Sequence, residues 1–343
     1  MSSKRSLRRR PWVAAAAALI VAGCAGEEGE APPTATDGGP PVVVATTSIL
    51  GDVVANVAGD DAQVEVLMPP GADPHTFEAS AADAARVREA DLVLTIGLGI
   101  EAPLASLLDS ARADGVDIVA LAPQLDSIPF TMADLHDDED HADEEDHADE
   151  QDHADEDEHD GEEPHGAEDP HVWFDPVRMA EGVGLLGDEF ERRLGPGAWQ
   201  ERADAYRSEL LDVHDEVEGL VAAVPPERRV LVTNHEAVGY FAHRYYFELA
   251  GTIIPGGTTD ASPSSAAFAD LARLVKDREL PAIFAENTAN DTLAQSLARE
   301  VGRDVEVVTL YSDALGAPGS DAETYLDLLR TNGRLIADAL ETG

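Results

Sequence analysis

From Val42 onward, short runs of aliphatic and β-branched residues alternate with stretches whose apolar positions recur at helical spacing. Residues 42–46, 63–68, 92–96 and 116–121 read as strands, and 49–57, 81–89 and 103–112 between them as helices. Two consecutive helical stretches follow, 177–194 and 197–223, separated by Gly195-Pro196-Gly197, which neither helix can run through. The second carries an apolar stripe of Leu210, Leu211, Val213, Val217, Leu220 and Val221. The alternation then resumes, with strands at 229–233, 247–253, 282–285 and 305–310 and helices at 237–243, 264–276, 291–301 and 323–340. Strands alternating with helices predict parallel sheets with helices on both faces, and two α/β lobes joined by one long helix is the simplest topology that fits.

Ahead of this body the pattern is different. Lys4, Arg5, Arg8, Arg9 and Arg10 precede a short apolar run over residues 13–22 and then Gly23-Cys24. The run is about half of the roughly 20 residues needed to cross a bilayer as a helix, so it reads as an export signal. Val21-Ala-Gly-Cys24 resembles a bacterial lipoprotein cleavage box, which implies a lipid on Cys24. That cysteine is the only one in the chain, so no intramolecular disulfide is possible. Residues 25–41, rich in Gly, Pro and Glu, suit a solvated linker. The expected organisation is therefore a signal peptide over 1–24, a linker over 25–41, an N-terminal lobe over 42–198, a bridging helix over 199–224 and a C-terminal lobe over 225–343.

The formal net charge of −46 argues against nucleic acid or anionic lipid as a direct partner. Much of it is local: eighteen Asp or Glu and no Lys or Arg stand between His136 and His165. That concentration points to cations. Neither half carries a glycine-rich phosphate loop, since Gly97-Leu-Gly99 lacks the third glycine and the downstream acid of a dinucleotide site.

Candidate chemistry lies at strand ends. His75 closes the loop after the second strand, His235 follows the strand at 229–233, and Asp313 follows the strand ending at Leu310. His171 sits in Asp169-Pro-His-Val-Trp-Phe-Asp-Pro176, where two prolines stiffen the loop. His171 and Trp173 could equally plug the entry of the next helix. Ligands of open α/β sheets collect at the carboxyl ends of strands, so these four residues, two from each lobe, could converge in a cleft between lobes. Three imidazoles and one carboxylate suit zinc in tetrahedral geometry, whereas manganese favours more oxygen donors. His214 and His243 lack this placement and read as exposed helix residues.

Pro69-Pro-Gly-Ala-Asp-Pro-His75-Thr-Phe-Glu78, Gly97-Leu-Gly-Ile-Glu101, the loop 169–176, Asn234-His-Glu-Ala-Val-Gly-Tyr-Phe241, Pro281-Ala-Ile-Phe-Ala-Glu286 and Tyr311-Ser-Asp313 together resemble the zinc/manganese substrate-binding proteins of ABC importers. The resemblance implies two lobes bridged by a rigid helix, with His75, His171, His235 and Asp313 as metal ligands. It also implies Zn2+ as the cargo, with Mn2+ as the alternative, and a membrane permease with its ATPase as partners. His235 supports zinc, because members with a carboxylate there tend to bind manganese. Glu286 is a candidate for orienting an imidazole. Phe77 and Asn234 depart from the family pattern and leave the ligands intact.

His136, His141, His147, His153, His159 and His165 run up to His171 at intervals of six residues, except for a first gap of five. A hexad rotates each imidazole by about 240° on a helix and so lines no single face. The tract over 136–165 reads as a weak metal collector, or else as a solvated low-complexity insert without a metal role. The leading functional reading is a lipid-anchored extracytoplasmic zinc receptor, acting as a monomer and not as an enzyme. A zinc hydrolase would need an open coordination position and a base, for which Glu236 and Glu286 are the candidates, and four protein ligands leave no place for the water. A zinc sink without a permease stays open.

Overall fold

The computed structural model describes residues 39–130 and 168–341. The expected signal peptide with Cys24, most of the linker, and the histidines from 136 to 165 lie outside the described residues.

Two four-stranded sheets form, every pairing in them parallel. The first is built from β1 (Val42–Ala45), β2 (Gln63–Val66), β3 (Leu92–Thr95) and β4 (Ile118–Ala120), in the order β2-β1-β3-β4. The second is built from β5 (Val230–Thr233), β6 (Glu248–Thr252), β7 (Ala282–Glu286) and β8 (Glu306–Leu310), in the order β6-β5-β7-β8. Composition sorts the strands. Uninterrupted apolar segments such as Leu-Val-Leu-Thr in β3 and Val-Leu-Val-Thr in β5 are buried along their whole length at central positions, while Gln-Val-Glu-Val of β2 takes an edge.

Each sheet has an outer face covered by two helices. On the first, α2 (Ala81–Glu89) and α3 (Ala105–Ala113) pack Val87 and Leu108 against Val44 and Val93. On the second, α7 (Ser265–Asp277) and α8 (Thr292–Val301) pack Leu271 and Leu297 against Val232 and Ile283. The inner faces share one continuous core, which joins Val43 and Leu94 to Leu231 and Phe284 through α1 (Ser48–Ala58), α4 (Pro176–Leu194), α5 (Trp199–Val221), α6 (Gly239–Tyr245) and α9 (Tyr325–Glu341).

α5 packs on α1 and α4 and also on α9, so it touches both lobes. Arg202 caps the end of α1 by donating to the carbonyls of Val57 and Ala58 at 2.7 and 2.8 Å. Further along, Val217 lies where a Cβ on Gly333 of α9 would come within 3.0 Å, so the glycine lets the two helices close. The stripe read from the sequence is narrower in fact: Leu210, Val213, Val217 and Val221 are buried, but Leu211 and Leu220 are 44% and 37% exposed. Leu211 follows Leu210 and Leu220 precedes Val221, so each lies about 100° around the helix from that buried neighbour. The helix expected over 103–112 opens with a 3-10 turn at Ala102–Leu104, where Pro103 fits the first turn, before α3 begins.

Candidate metal centre

Strand order decides where loops can meet. In the second sheet β5 and β7 are the central pair, and the chain leaves β5 toward His235 just as β7 ends on Glu286. His235 accordingly finds Glu286 beside it: Glu286 Oε1 lies 3.0 Å from the His235 amide and 2.7 Å from its ring Nδ1. Asn234 adds a contact from its Nδ2 to Glu286 Oε2 at 3.5 Å. The next strand over, β8, delivers Asp313, and β2 of the first sheet delivers His75 through the loop 67–75.

His171 is set by its own tripeptide. Asp169 Oδ1 accepts from the His171 amide at 2.9 Å and stands 2.6 Å from its Nδ1. The loop is pinned to the second lobe as well as the first, because Trp173 Nε1 donates to the Ser312 carbonyl at 2.8 Å and Tyr240 donates its hydroxyl to the Asp169 carbonyl at 2.9 Å. Asp175 then caps α4 and lies buried between Arg178 and Arg244, the latter reaching it from α6 at 2.7 and 2.8 Å. Trp173 is buried in the core, and His171 turns its Nε2 toward His235 and Asp313.

The structure brings His75, His171, His235 and Asp313 together. One donor atom of each lies within 4.8 Å of all the others. His171 Nε2 and His235 Nε2 are 3.3 Å apart, and Asp313 stands 3.8 Å from the first and 3.6 Å from the second. His171 and His235 are completely buried, Asp313 is 1% exposed and His75 7%. His75 Nε2 and both carboxylate oxygens of Asp313 are buried without a hydrogen-bond partner. Asp169 and Glu286 occupy the Nδ1 sides of His171 and His235, so the two Nε2 atoms face each other across the centre. Such an arrangement needs a positive charge at its centre, either a proton or a metal ion.

The electrostatics agree. Burial and the neighbouring imidazoles push His75 down to about 3, and burial with His235 close by takes His171 well below the usual histidine range. Burial also raises Asp313 to about 7 and Asp169 to about 8. For His235 burial works in the opposite sense and is outweighed by Glu286 and Asp313, which lift it to about 9. Those shifts leave His75 and His171 as unprotonated bases beside a His235 that holds its proton, so one positive charge sits among the donors.

A cleft of about 430 Å³ leads from solvent to His75, lined by Gly99 and Pro103 of the first lobe, Phe130 and Glu168, and Thr258 and Asp260 of the second. Its first-lobe wall is the turn after β3, where Gly97 and Gly99 take φ of 89° and 88° and flank Leu98 at 53°. Buried Glu101 holds that turn, accepting from Thr46 Oγ1 and the Ile96 amide at 2.7 Å each and from the Gly97 amide at 3.0 Å. Of the remaining histidines, His243 is exposed as expected. His214 is not: it is half-buried, stacks on Tyr245 and lies 3.2 Å from that hydroxyl.

A comparison with known families finds that the sequence profile described as zinc-uptake complex component A, periplasmic, matches residues 43–339. The chain belongs to this family. Among curated relatives it is 31% identical over 303 residues to the zinc-binding protein TroA of Treponema pallidum, covering 86% of this chain and 87% of that one. It is 29% identical over 287 residues to the manganese-binding lipoprotein MntA of Halalkalibacterium halodurans, covering 83% of each. The solved structure of the periplasmic zinc-binding protein TroA from Treponema pallidum superposes with a TM-score of 0.74 at 29% identity, over 88% of this chain and 99% of that one. The family's two parallel-sheet lobes are thus the fold found here. Among the described residues, no helix is long and apolar enough to cross a membrane.

Asp169 and Asn234 are the residues whose part in the centre was not read from the sequence. The repeated Asp-Pro-His tripeptide was the available signal for Asp169. Nothing local marks Asn234, because its partner Glu286 is 52 positions away.

Proposed function

We propose that this chain is an extracytoplasmic metal receptor that binds a single divalent cation between its lobes and hands it to an ABC importer, and that the cation is Zn2+. The observation that carries the reading is the set of buried donors with no other partner: His75 Nε2 and both oxygens of Asp313, beside two imidazole Nε2 atoms 3.3 Å apart. Leaving buried polar atoms unpaired costs about 1–3 kcal/mol each, and one cation at their centre would satisfy all of them. Three imidazoles and a carboxylate are the donor set of a closed tetrahedral zinc site, with no position left for a reacting water. The relative named as a zinc-binding protein and the family's zinc-uptake description support the same choice. His75, His171, His235 and Asp313 are the ligands in this reading, Glu286 and Asp169 orient two of the rings, and Cys24 carries the lipid that keeps the receptor at the membrane beside its permease and ATPase.

Manganese is the second reading, favoured by the freedom of both Asp313 oxygens, which would add a fifth donor if both bound. The relative named as a manganese-binding lipoprotein points the same way. Calorimetric titration of the lipid-free chain with Zn2+, and separately with Mn2+, decides between them. One equivalent of Zn2+ bound far more tightly than Mn2+ is the expected result, and tighter binding of Mn2+ would replace the zinc assignment. A chain that takes up neither ion would end the receptor reading.

A further inference from the structure

The tripeptide Asp-Pro-His occurs twice at the centre and is used in two ways. In Asp169-Pro170-His171 one carboxylate oxygen holds both the histidine amide and its ring, at 2.9 and 2.6 Å. In Asp73-Pro74-His75 the carboxylate again accepts from the histidine amide, at 2.9 Å, but its second oxygen accepts from the Thr259 hydroxyl at 2.6 Å. Thr259 belongs to the opposite lobe, in the loop 253–264 between β6 and α7. That loop is tied at its root to the site, since the amide of Glu236, next to His235, donates to the Gly256 carbonyl at 3.2 Å. It also lies against the mouth of the cleft, where a Cβ on Gly257 would meet the Phe130 ring at 2.1 Å.

His75 is the one member of the centre that lines the cleft, and its 7% exposure contrasts with complete burial of the other two imidazoles. A cation entering or leaving by that route passes His75. We propose that Thr259 is a positioning residue that latches the lobes: its hydroxyl, through Asp73, holds the His75 loop against the second lobe, so that cation release requires this hydrogen bond to break. The inference rests on the metal-receptor reading above. Losing a hydroxyl that donates to a carboxylate changes a release rate by about tenfold.

The test uses the lipid-free chain loaded with Zn2+ and mixed rapidly with an excess of a chromogenic chelator, following zinc release. Thr259→Val keeps the shape and removes the hydroxyl, and is expected to speed release about tenfold, while Thr259→Ser, which keeps the hydroxyl, releases near the wild-type rate. Release from Thr259→Val within about twofold of wild type would overturn the latch. So would Thr259→Ser releasing as fast as the valine variant, which would show that the hydroxyl does not hold the loop. A wild-type chain that binds no zinc at all would instead sink the receptor reading, and the latch with it.

Discussion

Two imidazoles whose bare nitrogens stand 3.3 Å apart repel unless something positive lies between them, and the protein has made that arrangement unavoidable by fixing their other nitrogens on carboxylates. Glu286 carries this argument further than Asp169, because its Oε1 grips both the amide and the ring of His235. Replacing Glu286 by Ala frees the ring to turn and lets its proton move to Nε2, where it blocks the lone pair. Zinc affinity measured by chelator competition should fall about 10–100-fold, the range found when partners of metal-bound histidines are removed. Unchanged affinity would mean that packing alone orients His235. The four candidate ligands were legible in the sequence because each sits where a strand or stiff loop ends, and Glu286 because it ends one too. Asp169 carried no assigned part: its carboxylate reaches the ring only because the chain turns back over Pro170, with His171 at φ −80° and ψ 42°, a local shape that residue identity does not announce.

Secondary elements were readable almost to their ends, since the binary pattern changes period between strands and helices, and capping side chains mark several helix starts. Ser80 and Asp83 form a reciprocal capping box at the start of α2, and Thr47 and Ser264 cap α1 and α7 with their hydroxyls. What the pattern did not show was which apolar residues of a long helix face inward when two lobes pack on it. Leu210 is fully buried and its neighbour Leu211 is 44% exposed, so Leu210→Ala should destabilise by about 2–5 kcal/mol and Leu211→Ala by less than about 0.5 kcal/mol in urea unfolding. Similar losses at both positions would contradict the observed face. A second joint between helices involves Asp52 on α1, which accepts from the Tyr325 amide of α9 at 3.1 Å and the Tyr206 hydroxyl of α5 at 3.3 Å. Burial raises its pKa above the ordinary 3.8, against the lowering effect of those hydrogen bonds. A raised acid binds its proton more tightly folded than unfolded, so its contribution is greatest below 3.8 and is lost as the pH rises through the folded value. Asp52→Asn keeps the acceptor and abolishes the titration. Its stability relative to wild type should therefore improve between about pH 4 and pH 7, and a difference constant across that range would show the aspartate to be unperturbed.

At the scale of the molecule, the division into two lobes follows from the β/α alternation breaking at two successive helices and resuming, but the shared core beneath both sheets does not follow from any local signal. It depends on α5 and α9 crossing near Gly333, more than a hundred residues from the α5 residue it meets. The same scale decides what the acidic histidine tract contributes. The chain on either side of it is already paired: Pro129 and Glu168 form an antiparallel bridge, and the Asp169 amide donates to the Ile128 carbonyl at 2.8 Å. Deleting 136–165 would leave residues 131–135 and 166–167 to join two ends that face each other, so the fold and the placement of His171 should survive. If His75, His171, His235 and Asp313 make the tight site by themselves, calorimetric titration of the deleted chain with Zn2+ retains one strong equivalent and loses only weak ones, which the imidazoles at 136, 141, 147, 153, 159 and 165 would supply. Weak sites of that kind would depend on attraction between charges, which is screened beyond about 8 Å at physiological salt, so raising the salt should erode them in the full chain before it touches the buried centre. Loss of the strong equivalent with the tract would mean that ligands from 136–165 complete the centre, and that the four donors found together among the described residues are only part of it.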